Sequence, residues 1–152
     1  KNGTTEYAEG IFVGYRHFDA KQIEPEFPFG HGLSYTTFTY DSLHMEAAQP
    51  APSISVSFMI TNAGEREGAE VAQLYVRDVK SSLPRPPKEL KAFKRVNLKP
   101  GESQRVTLTL HNDAFAFYDP SQHQWVVELG SFEILVGSSS RLIRFSQLVE
   151  LK

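Results

Sequence analysis

From about residue 53 to the end, apolar and polar positions alternate in short runs separated by turn residues. Ile54, Val56, Phe58 and Ile60 alternate with Ser55, Ser57 and Met59, the period-2 signature of a strand with one buried face. Val71 to Val79 repeats it, with Leu74 and Val76 on one side and Val71, Gln73 and Tyr75 on the other. Leu90 to Leu98 reads as the next strand and closes at Lys99-Pro100-Gly101-Glu102, where Pro then Gly favours a turn. Val106, Leu108 and Leu110 alternate, as do Phe132, Ile134 and Val136, and Leu142 to Leu151 supplies a last strand. Phe115 to Tyr118 and Gln124 to Leu129 add two short runs. In the second, Trp125 is in phase with Val127 and Leu129, which predicts a core tryptophan. Upstream, Tyr35 to Tyr40 alternates, and Ile11 to Phe18 is a β-prone run with aromatics at 12, 15 and 18. Ala47–Pro52 reads as a loop, residues 62–68 as a turn, and Ser81–Pro87, with three prolines, as a stiff exposed loop.

Counted from residue 35, this gives seven or eight short strands, roughly ten residues apart, and no run of helical periodicity. The expected fold is all-β: an antiparallel immunoglobulin or fibronectin type III-like β-sandwich, preceded by an extended N-terminal segment. The chain has no cysteine, so the Cys-Trp-Cys arrangement of antibody domains is absent and the fibronectin-like variant is favoured.

One stretch breaks the pattern. Phe27-Pro28-Phe29-Gly30-His31-Gly32-Leu33-Ser34-Tyr35-Thr36 packs aromatics, a proline and two glycines together. Pro28 pushes Phe27 towards an extended conformation, and the glycines permit unusual backbone on either side of His31. A tightly folded, aromatic-anchored turn is expected. It is not a nucleophile elbow, because Ser34 lacks the Gly-x-Ser-x-Gly frame and precedes a strand. It is not a phosphate cradle either, because no Gly-x-Gly-x-x-Gly or Walker pattern is completed.

Composition narrows the remaining chemistry. Of 152 residues, 40% are hydrophobic, enough to bury a core. Sixteen basic residues against 18 acidic ones give a net charge of −2 without runs of one sign. That argues against nucleic-acid or membrane partners, which want clustered Lys and Arg. Without cysteine there is no disulfide and no thiol catalysis, and the five histidines at 17, 31, 44, 111 and 123 lack zinc-motif spacing. Asn2-Gly3-Thr4 matches an N-glycosylation acceptor. A glycosidase needs two carboxylates flanking the sugar. Glu9 and Asp19, separated by aromatic residues, stand out from acidic residues in turns, yet nothing in the sequence pairs them.

Longer matches carry more information. Tyr7-Ala8-Glu9-Gly10-Ile11-Phe12-Val13-Gly14-Tyr15-Arg16-His17-Phe18-Asp19 precedes the Phe27–Thr36 stretch. It is followed by Ala72-Gln73-Leu74-Tyr75-Val76, Pro86-Pro87-Lys88-Glu89-Leu90-Lys91-Ala92-Phe93, Leu98-Lys99-Pro100-Gly101-Glu102, Trp125-Val126-Val127-Glu128-Leu129-Gly130 and Val136-Gly137-Ser138-Ser139-Ser140. In order and spacing, the set resembles the C-terminal part of glycoside hydrolase family 3 β-glucosidases. The resemblance implies that residues 35–152 are a fibronectin type III-like domain and residues 1–34 a clasp leading from a preceding α/β domain. It implies a parent that hydrolyses β-glucosides with retention, its nucleophilic aspartate and acid/base glutamate in upstream domains. No catalytic residue, cofactor or metal is expected in this chain. The expected partners are the parent's catalytic domains, through Phe12, Tyr15, Phe18, Phe27, Phe29 and His31. The same aromatics suggest a second partner class, lignin or polysaccharide surfaces.

Overall fold

A computed structural model describes residues 3–48 and 53–152. Nine strands lie among them: β1 (Phe38–Ala48), β2 (Ser53–Asn62), β3 (Gly68–Asp78), β4 (Glu89–Leu98), β5 (Ser103–Leu110), β6 (Phe117–Asp119), β7 (Gln124–Val126), β8 (Gly130–Gly137) and β9 (Ile143–Leu151). Seven form an antiparallel sandwich, with sheet orders β1-β2-β5 and β4-β3-β8-β9. The other two, β6 and β7, pair only with each other. That hairpin carries the count past the seven or eight strands predicted. The Asn2 glycosylation acceptor and residues 49–52 of the predicted loop lie outside the described residues, while Ala47 and Ala48 belong to β1.

The alternating runs behave as their pattern requires. Val56, Phe58 and Ile60 of β2 meet Ala72, Leu74 and Val76 of β3 and Phe132, Ile134 and Val136 of β8 in one buried layer between the sheets. Val96, Leu98, Val106 and Leu110 close its edge. Burial of this layer is the main driving term of the fold. β1 keeps its apolar side inward by a bulge: Asp41 pairs Met59 and His44 pairs Ser57, so Ser42 and Leu43 together oppose Phe58.

Two polar groups are built into the sandwich. The side chain of Asn62 is fully buried and donates to the carbonyls of Leu98 (2.9 Å) and Arg66 (2.7 Å). Its Oδ1 accepts from Thr36 Oγ1 (2.5 Å) and the Gly64 amide (3.1 Å). One amide thereby ties two sheet-joining turns to the N-terminal segment. Across the sheets, Tyr40 of β1 stacks on Phe58 and donates its hydroxyl to Glu70 Oε1 of β3 at 2.9 Å. Arg144 of β9 lies over the Tyr40 ring.

Three local readings change. Ile11–Phe18 is not a strand: Gly14, at φ 57°, opens helix α1 (Tyr15–Ala20), with the His17 and Phe18 amides donating to the Gly14 carbonyl. Trp125 is not core. It is 71% exposed, because the chain leaves strand geometry after Val126 and the in-phase relation to Val127 is lost. The Ser81–Pro87 loop is not wholly exposed. Pro86 is buried, and Arg85 is drawn inward to Asp78, Glu89 and the carbonyl of Phe115.

Burial raises the pKa of Glu70, while the Tyr40 hydrogen bond and Arg144 pull it down without cancelling the rise. The native state therefore holds this proton at pH values where the unfolded chain has released it, and stability falls as pH rises through that window. In urea denaturation at a series of pH values, the wild-type chain is expected to lose stability relative to Glu70→Gln from about pH 4 upward, to a plateau above the raised pKa. Parallel pH profiles for the two proteins would contradict this.

Candidate interdomain surface

The N-terminal segment folds back over the outer face of the four-stranded sheet. Helix α1 places Tyr15 and Asp19 one turn apart on a shared face. Tyr15 stacks on Phe29, with ring centroids 4.8 Å apart, and meets Tyr75 of β3 edge-on at 6.0 Å. Its hydroxyl accepts the Leu90 amide at 2.8 Å. That amide lies beside a β3–β4 bulge, where Leu74 faces Ala92 and Tyr75 faces Leu90.

Asp19 completes the grip. Its carboxylate, on a side chain only 5% exposed, binds Lys88 Nζ at 2.5 Å and Arg141 Nε at 2.9 Å. Lys88 precedes β4 and Arg141 follows β8, so one carboxylate clips both sides of the sheet. The Arg141 guanidinium also donates to the Ile23 carbonyl at 3.0 Å. The carboxylate that sequence could not pair with Glu9 is thus held by two cations.

The Phe27–Thr36 stretch is the tight turn expected. The His31 amide donates to the Pro28 carbonyl at 2.9 Å, and the Ser140 amide to the Phe29 carbonyl at 2.8 Å. Gly30, at φ 80°, lies against Gln73, where a Cβ would come within 2.2–2.7 Å of the side-chain amide. Gln73 has little room to yield. It is 3% exposed, donates to the Ser138 carbonyl at 2.8 Å and accepts the Tyr75 hydroxyl at 2.5 Å. Burial first, then the neighbouring Tyr15 and Asp19, push the Tyr75 phenol far above its ordinary range, keeping it a donor. At the end of the stretch Thr36 fits against Gly64 and Gly68, which have no side chain to exclude it.

The six aromatic candidates divide. Tyr15 is committed to Tyr75, Phe29 stacks on Tyr15 while keeping much of its ring exposed, and Phe12 is half-buried. Phe18 and Phe27 remain exposed beside a shallow groove of about 440 Å³ shared with Pro25, Asp19 and Arg141. His31 is exposed and stacks on Phe27 at 5.8 Å. Sequence reasoning missed the most exposed apolar residues of the segment, Leu33 at 93% and Tyr35 at 91%, because alternation assigned Tyr35 to a strand. It also missed Arg141, for which no local signal exists.

A second charge cluster anchors the proline loop. Arg85 pairs with Asp78 at 3.2 Å and Glu89 at 2.9 Å, and Glu89 also takes Arg16 of α1 at 3.2 Å. Burial opposes the Glu89 charge, but the Arg85 hydrogen bond and the charges of Lys91, Arg85 and Arg16 outweigh it and hold its pKa below the ordinary value. These carboxylates are engaged in structure. Among the described residues, no group of three or more His, Asp or Glu is placed to hold a metal ion, and no helix is long and apolar enough to cross a membrane.

Comparison with known proteins points in one direction. A fibronectin type III-like domain model matches residues 70–140. Thermostable β-glucosidase B of Acetivibrio thermocellus is 51% identical over 148 residues, covering 96% of this chain and 20% of the relative. The crystal structure of a GH3 β-glucosidase from Bifidobacterium adolescentis superposes with a TM-score of 0.94 at 40% identity, over 99% of this chain and 22% of that one. The chain carries a fibronectin type III-like domain over residues 70–140 and is similar, over nearly its whole length, to one part of GH3 β-glucosidases. β-Glucosidase BoGH3A of Bacteroides ovatus, 43% identical over 91% of the chain, gives the same picture. The chain spans about a fifth of the length of these curated relatives. The structural match covers 99% of this chain, so it extends through the N-terminal segment as well as the sandwich.

The clasp's two weakest points for substitution are testable. Gly30→Ala is expected to cost about 2 kcal/mol or more, from positive φ and collision with Gln73, while Gly32→Ala, with open space around it, stays within about 0.5 kcal/mol. Urea denaturation of both variants separates them, and equal stabilities would refute the fit at Gly30. Asp19→Asn leaves Lys88 and Arg141 without their shared anion, an expected loss of about 3 kcal/mol. Limited proteolysis should then cut within residues 20–26 well before the sandwich; an unchanged cleavage pattern would count against the clip.

Proposed function

We propose that this chain is a non-catalytic supporting domain of a β-glucosidase, an enzyme that hydrolyses β-D-glucosidic bonds with retention, and that it packs against the catalytic domains. Residues 1–34 are then the clasp leaving a preceding α/β domain, and residues 35–152 the sandwich. The observation that carries this reading is the match to about a fifth of β-glucosidases across nearly the whole chain. The outward face of the clasp fits the role. Phe27 and Leu33, with Tyr35 just past its end, present apolar surface, while Asp19 on the clasp's inner side is held in ion pairs. Such a surface gains from being covered, and the catalytic domains of the same polypeptide are the nearest cover.

A second reading draws on those exposed aromatics: adsorption to lignin or polysaccharide surfaces. Pull-down of the isolated chain on lignin and on cellulose tests it, and adsorption unchanged in a Phe27→Ser/Leu33→Ser/Tyr35→Ser variant would rule these residues out.

The support reading is tested in the full-length polypeptide that contains this chain. The same triple substitution is expected to shorten the half-life of β-glucosidase activity on heating several-fold, with KM at 25 °C nearly unchanged. An unaltered half-life, with the fold intact by circular dichroism, would overturn it.

A further inference from the structure

Trp125 is the sole tryptophan of the chain. It stands on the β6–β7 hairpin, braced edge-on by its cross-strand partner Tyr118 at 5.9 Å. It forms a wall common to two grooves. One, of about 510 Å³, is mainly apolar and includes Leu83, Pro84, Pro86 and Phe117. The other, of about 850 Å³, mixes characters: Trp125 and Val127 share it with Lys91, His111, Asn112 and Asp113.

The polar members are unevenly committed. His111 Nδ1 lies 3.3 Å from Ser53 Oγ, and Lys91 is 3.6 Å from Glu89. Asn112 and Asp113 have no side-chain hydrogen bond among the described residues. A ligand matching this groove needs a flat apolar face for the indole and several hydroxyls for an amide and a carboxylate. A purely apolar partner would leave Asn112 and Asp113 desolvated and unpaired, at a cost. A β-linked glucopyranose meets both demands, because its equatorial substituents leave a flat C–H face with hydroxyls around the rim.

We infer that the groove between Trp125 and the His111–Asp113 corner is a sugar subsite for a glucosyl unit of a β-glucan. The choice of glucose over other pyranoses rests on the β-glucosidase reading above; the aromatic-plus-polar geometry does not.

Since Trp125 is the only indole, its fluorescence reports the site directly. Titrating the 152-residue chain with cellotetraose into the millimolar range is expected to give a saturable change in emission. The Asn112→Ala/Asp113→Ala variant should bind about tenfold more weakly. Trp125→Ala, followed by calorimetry, should show no binding while its melting temperature stays near wild type. A non-saturating titration or equal affinity in the Asn112/Asp113 variant would overturn the subsite, and an equal response to β-1,4-galactotetraose would overturn its assignment to glucose. Trp125→Ala in the full-length polypeptide distinguishes the two readings. Loss of thermal stability there, without sugar binding in the isolated chain, means that other domains cover Trp125, which refutes the subsite and leaves the support role standing.

Discussion

The middle of strand β3, Ala72–Val76, is buried on both faces, and much else in the structure follows from that. A sandwich strand ordinarily hides one face in the core and shows the other to water. Here Ala72, Leu74 and Val76 face the core, while Gln73 and Tyr75 on the opposite face are also closed off from solvent. Their cover is the N-terminal clasp, through Tyr15 and Gly30. Removing water from the Gln73 amide and the Tyr75 phenol is tolerable only because each finds a partner, in the other and in Ser138. The clasp is therefore a third layer of the fold.

The charges are arranged to hold that layer. Asp19 from the clasp is matched by Lys88 and Arg141 from opposite sides of the sheet, and Arg16 joins Glu89 and, through it, Arg85. Partly buried ion pairs contribute modestly to net stability, but breaking one leaves a charge without its counterion. Their value here is positional: they fix where α1 lies on the sheet. At the far end Asn62 performs a neutral version of the task, satisfying backbone groups of two turns and receiving Thr36. With the clasp pinned at both ends, Phe27, Leu33 and Tyr35 are left facing outward on a rigid base.

The sandwich was legible in the sequence because its signal is local. Period-2 runs such as Ile54–Ile60 and Phe132–Val136 name their own buried faces. The clasp was legible only in part. The glycine and proline content of Phe27–Thr36 announced a turn, and its aromatics an anchor, but not that Tyr15 turns inward, with Phe29 stacked on it, while Phe27 turns out. That division depends on Tyr75, remote in sequence, and on the φ of Gly14, which makes a helix of a β-prone run. Asp19 was conspicuous yet unassigned, since its partners Lys88 and Arg141 are far along the chain. Trp125 misled because two residues of alternation suffice to suggest a strand face, but not to keep a three-residue strand on the sandwich.

The central claim is that clasp and sandwich form one cooperative structure, and native-state hydrogen exchange tests it most directly. The Leu90 amide, held by Tyr15, and the Ser140 amide, held by Phe29, report the clasp, while β3 amides in the core report the sandwich. The account predicts that Leu90 and Ser140 exchange through the same global opening as β3, with closely similar free energies. Fast exchange of these two amides beside a protected β3, as for a frayed terminus, would contradict it.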